Sequence, residues 1–189
     1  MDTQLKNLFK STMSYGAALG IISVIFSLIL YFLNVMPIGI VKPMVLFVVS
    51  IAIYFFGILY FSKMVRAEVY DNEVNYGQAL LIGILIGFFT AIISSAYSYL
   101  QNVVIDPDYL SRYIGAQKEW MANYMYSKGI ADDQIEKSLK GIDDASKEAF
   151  TFGKYIKSVL FSTLGFGLIS LITAAIIKKK NTSPFGDAN

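Results

Sequence analysis

The sequence predicts an all-α integral membrane protein, a four-helix bundle with a helical extramembrane insertion between its third and fourth spans. Three observations carry this. Hydrophobic residues make up 55% of the chain, yet its charges fall in blocks between long apolar runs instead of being scattered as in a soluble domain. The runs cover 12–33, 44–61, 78–105 and 158–177, each long enough to cross a bilayer as a helix. Small residues recur at helical spacing along the first and third runs, as where two membrane helices meet closely.

Composition also excludes. Lys and Arg (16) nearly balance Asp and Glu (14), so no basic surface argues for nucleic acid as a partner. Cysteine and histidine are absent. Disulfides, thiol nucleophiles, Cys/His zinc sites, His-ligated haem and the commonest general base go with them, and no cofactor or metal is expected.

The first run gives about 33 Å of helix, against a hydrocarbon core of about 30 Å. Lys6 and Lys10 precede it as in a secretory signal, but it exceeds an h-region of about 7–15 residues and no Ala-x-Ala-like site follows. Thr12, Gly16, Gly20, Ser23 and Ser27 form its small-residue face, expected to pack on the stripe of the third helix. Pro37, Gly39 and Pro43 break the helix, leaving an apolar connection over 34–42 at the membrane interface. The second run has few small residues beyond Ser50, Ala52 and Gly57, so it should be the most lipid-exposed. A solvated, charged loop over 62–75, turning at Asp71-Asn72, is expected next.

The third run organises the rest. It carries no charge over 80–105, and Ala79, Gly83, Gly87, Ala91 and Ser95 fall every fourth residue, a smooth stripe for another backbone. Its start, Tyr76-Gly77-Gln78-Ala79-Leu80, echoes Tyr15-Gly16-Ala17-Ala18-Leu19, which fits either a parallel internal duplication or chance among common membrane residues.

The insertion covers 106–153. Asp106-Pro107 reads as the cap and first residue of a helix stopped by Gly129, with Tyr109, Tyr113, Trp120 and Tyr124 near one side. That face suits headgroup depth or the docking of a partner. A second short amphipathic helix over 131–140 aligns Ile135, Leu139 and Ile142, and Asp143-Asp144 is expected to cap a helix leading into the last span. Ser158, Ser162 and Gly165 are that span's close-packing positions, and the tail over 181–189 is expected to be disordered.

Lys6, Lys10, Lys63, Arg66 and Lys178 to Lys180 flank one side, which the positive-inside rule places in the cytoplasm with both termini. Arg112, Lys118, Lys154 and Lys157 on the other side count against this orientation.

The Tyr76-Gly77-Gln78-Ala79 start, the Asp106-Pro107 exit and the charged helical insertion resemble the DUF4199 family of uncharacterised multi-pass membrane proteins, over roughly 9–178. The resemblance implies a protein of the bacterial envelope, in the cytoplasmic (inner) membrane. It carries no catalytic residue, substrate or cofactor.

No enzyme is expected. The spans lack Asp, Glu, Lys and Arg between their ends, and Ser94, Ser95 and Ser98 have no histidine to activate them, only Lys154 or Lys157 near the fourth helix. A coupled transporter should hold an acid or a proline-broken helix at mid-depth, whereas Gly165-Phe166-Gly167 is the only weak point. Asp132, Asp133, Asp143 and Asp144 do not match an EF-hand loop. What remains is a scaffold or interaction protein acting through its insertion, with the lipid bilayer, a protein partner or a second copy of itself as its contacts. A small oligomeric channel or transporter component is the alternative.

Overall fold

A computed structural model describes residues 3–146 and 152–179. The expected cap of the last span's approach, in part, and the tail over 181–189 lie outside them. Among the described residues six α-helices follow one another: α1 (Thr3–Phe32), α2 (Val41–Val69), α3 (Tyr76–Leu100), α4 (Tyr109–Ser127), α5 (Asp132–Ser146) and α6 (Phe152–Ile177). Four of them, α1, α2, α3 and α6, are long and apolar enough to cross a membrane.

α3 is the axis. Its most apolar window is 44% buried against 6% for α2, and α1 and α6 flank it. α2 is the most exposed span, with Phe47, Val48, Phe56 and Tyr60 all facing outward. The start of α3 is set by Asn75, whose side chain accepts from the Gln78 amide at 2.9 Å while Gln78 Oε1 accepts from the Asn75 amide at 2.9 Å. This reciprocal pair satisfies two donors that a helix start otherwise leaves open. The end of α3 loosens into a π-helical turn, Gln101–Ile105, where the Asp106 amide reaches back to the Gln101 carbonyl at 2.8 Å.

Several boundaries differ from the sequence expectation. α1 starts at Thr3, nine residues ahead of the apolar run, because its polar turns pack on the end of α2. Residues Ser62 to Val69 are helix, not loop: Ser62 and Val65 are fully buried, so α2 keeps a packed face beyond its apolar core. The turn lies where expected, with Asp71 and Asn72 at φ of 48° and 69°. Pro43 sits in the first turn of α2, where a missing N–H costs no helical bond, so it does not break the helix. α4 starts at Tyr109 with Asp108 as the preceding residue, so Asp106 is not its cap and Pro107 is not its first residue. Asp143 and Asp144 lie inside α5, which runs to Ser146, and not in a break ahead of the last span.

The echoed pentads are not equivalent. Gly16 lies beside Ile86 and Phe89, well beyond Gly77 along α3, so the two pentads sit about 15 Å apart in depth. That offset disfavours reading them as a duplicated membrane start.

Candidate functional site

Two seams hold α3, one on each side. On the first, Gly16 meets Phe89 and the Ile86 carbonyl, and Gly20 meets Ile93. Thr90 donates to the Gly16 carbonyl at 3.1 Å, and the Ser23 and Ser94 hydroxyls lie 2.6 Å apart. On the second, Gly83 lies against Ser170, Gly87 against Phe166, and Ser95 is 3.4 Å from Ser158 of α6. Ala79 and Ala91 on the same stripe are buried to 1% and 0% exposure. The α3 stripe therefore takes α6 as its partner, and the small face of α1 takes the bulky face of α3. Stripe against stripe would leave a gap, since a smooth groove is filled by side chains from the other helix.

The serines considered as nucleophiles have other work: Ser94 bonds Ser23 and Ser95 faces Ser158. Ser98 is exposed and its carbonyl accepts from Asn102 at 2.8 Å. Gly165 and Gly167 pack against nothing, a beta carbon at either position meeting open space, so Gly165 is not a close-packing position of the last span.

At the insertion end, Asp106 is the joint. Arg112 clamps its carboxylate through both guanidinium nitrogens, at 3.0 and 2.5 Å, while the Tyr31 hydroxyl donates to it at 3.0 Å. One carboxylate thus ties the end of α1, the exit of α3 and the first turns of α4. The Arg112 guanidinium holds the Asp106 carboxyl below the usual carboxylate range, with the Tyr31 hydroxyl adding to this and desolvation opposing it. Asp106 in turn raises Arg112, and burial raises the Tyr109 phenol.

The four aromatic residues do not form one surface. Tyr109 turns to the bundle, its ring 5.7 Å from that of Tyr31, while Trp120 stacks on Tyr124 at 5.3 Å. Trp120 covers Gly39 of the α1–α2 connection, where a beta carbon would lie 3.1 Å from its ring nitrogen. Gly39 needs its positive φ of 85°, and its amide donates to Gln117 at 3.2 Å. Tyr113 is half-buried. α5 folds back on α4 through buried Ile135 and the Lys118–Asp143 ion pair at 2.6 Å.

The opposite end is closed by different chemistry. Glu68 accepts from Ser11 at 3.0 Å and from the Tyr15 hydroxyl, and Arg66 donates to the last carbonyl of α6, Ile177, at 2.8 Å. Val74 and Lys179 exchange backbone bonds at 3.1 and 3.0 Å. These contacts gather Lys6, Lys10, Lys63, Arg66, Lys178 and Lys179 at one end of the bundle.

The sequence assigned no anchoring bond to Gln78, Tyr31, Arg112, Gln117 or Glu68. The Asn75-x-x-Gln78 spacing was a readable signal for a capping box. The others have partners distant in the chain, which no local pattern announces. Among the described residues no three His, Cys, Asp or Glu side chains come together as a metal site.

A buried seam of small residues and hydroxyls, four helices with long apolar centres and a polar helical pair at one end define an integral membrane protein of the four-span helical class. The chain belongs to the DUF4199 family, described as protein of unknown function, whose profile matches residues 14–179. No curated protein and no solved structure matches it.

Proposed function

We propose that this protein is a non-enzymatic membrane scaffold that presents the α4–α5 pair to a partner at the membrane surface. In this reading it sits in the cytoplasmic membrane of a bacterium, with both termini inside and the pair outside. The observation that carries it is that no residue of α4 is fully buried, although α4 is anchored at both Asp106 and Gly39. A helix pinned in place with none of its residues fully covered keeps a surface available for contact.

Several hydroxyls along the seams of the spans bond to one another or to backbone carbonyls, as Ser23 with Ser94, Thr90 with Gly16 and Ser170 with Phe166. Ser62 and Tyr97 hold buried hydroxyls without a partner among the described residues. The test replaces 109–146 with a short flexible linker and compares both chains in membranes and liposomes. Proteins crosslinked to the full chain should be lost from the deleted one, and liposomes holding the full chain should retain small solutes. An unchanged crosslinking pattern, or reproducible solute leak, would overturn the scaffold reading and favour a channel.

A further inference from the structure

We infer that α6 carries a binding site for one anionic phospholipid, with the headgroup at Lys154 and Lys157 and an acyl chain in the cleft between α2, α3 and α6. Two adjoining hollows make this site. The upper one, about 600 Å³ and open to the side, is lined by Lys154, Lys157, Ser158 and the apolar Leu160, Phe161 and Leu164. The lower one, about 450 Å³, is walled by Phe47 and Ile51 of α2, Ala91 of α3, and Phe161, Gly165 and Leu168 of α6. Phe161 belongs to both and is 80% exposed, so a single chain can pass along it from one to the other.

The residues fall in register. Lys157, Phe161, Gly165 and Leu168 follow at steps of four, four and three, which line one side of a helix. Gly165 lies about 12 Å below Lys157, a drop from headgroup to hydrocarbon depth. It opens the floor of the cleft because nothing stands within 4 Å of where its beta carbon would be.

The chemistry selects the occupant. The lower cleft is lined mostly by apolar side chains. Of its four hydroxyl-bearing residues Ser50 is bonded to the Leu46 carbonyl at 2.8 Å and Ser94 to Ser23 at 2.6 Å, with Tyr54 and Ser162 the others, so the cleft suits an alkyl chain better than a polar solute. Lys157 is exposed and makes no ion pair among the described residues. Two cations at the mouth of an apolar cleft that opens sideways into a bilayer match a phosphate joined to a fatty tail.

The experiment is native mass spectrometry of the full chain, delipidated and then mixed with equal phosphatidylglycerol and phosphatidylcholine in detergent. The wild type should retain one phosphatidylglycerol, preferred by roughly tenfold. Lys154→Gln with Lys157→Gln should remove the preference, and Gly165→Leu should reduce retention of both lipids by filling the cleft. Excess inorganic phosphate should not displace the lipid. No preference in the wild type, or a preference unchanged in the lysine variant, overturns the site. Displacement by inorganic phosphate overturns the lipid assignment in favour of a simple anion site. The lysine variant decides the matter even if Gly165→Leu fails to fold.

Discussion

Replacing Gly87 with alanine puts a beta carbon 2.4 Å from the Phe166 beta carbon and 2.9 Å from its ring. Ordinary contact starts at 3.4 Å, so either α3 and α6 part by about 1 Å or Phe166 leaves the seam. Leaving is obstructed, because the Phe166 ring stands edge-on to Tyr54 at 4.8 Å and is only 7% exposed. Overpacking of this kind costs about 1–3 kcal/mol. Alanine also favours helix over glycine by about 0.5–1 kcal/mol, which would mask part of the effect. Gly165→Ala supplies the control, since it has the same helical gain and meets nothing within 4 Å. The propensity term cancels between the two variants. Gly87→Ala should therefore be less stable than Gly165→Ala by about 1–3 kcal/mol, a factor of about 5–150 in the folded-to-unfolded ratio. Equilibrium unfolding in mixed detergent micelles, followed by helical circular dichroism, measures the difference. Equal midpoints for the two variants would refute the claim that the α3 stripe is held by close approach of α6.

Two further predictions concern the anchoring of α4, read through the emission of Trp120, the single tryptophan. The folded Asp106 carboxyl is held below its ordinary value of about 3.9, so its bond to Arg112 acts fully above that pH and is lost as pH falls through the lowered value. Wild-type emission should shift only on strong acidification, while Asp106→Asn should show the shifted emission already at neutral pH; an identical acid response in both would exclude Asp106 as the joint. Gly39→Ala meets both a positive φ and the Trp120 ring, a strain of about 1–2 kcal/mol, and should move the emission to longer wavelength without unfolding the spans. An unaltered spectrum would mean that α4 does not rest on the α1–α2 connection.

Much of this architecture was legible because the bilayer imposes it. Uncharged runs of span length, and proline or charge between them, identify four helices before any packing is known. Composition could not locate the end of α2, since Arg66 and Glu68 look like loop residues until Ile177, Tyr15 and Ser11 are seen to receive them. Nor could spacing choose partners for the small residues. A glycine shows that something comes close, and only the fold shows that Gly16 receives Phe89 while Gly87 receives Phe166. Gly165 has the same composition signal and the opposite meaning, an opening instead of a seam. The aromatic residues of α4 read as one face, but the pull of Tyr31 and Gly39 divides them between two anchors.

Site-directed labelling tests most directly whether the α4–α5 pair and the chain ends occupy opposite sides of the membrane. The chain has no cysteine, so Ser127→Cys at the end of α4 and Asn7→Cys in α1, both exposed positions, give unambiguous reporters. Intact cells treated with a membrane-impermeant maleimide should label Ser127→Cys and leave Asn7→Cys unmodified until the membrane is opened. Labelling of Asn7→Cys alone would invert the orientation and bring the pair to the cytoplasm. Labelling of both from outside would contradict the four-span arrangement itself.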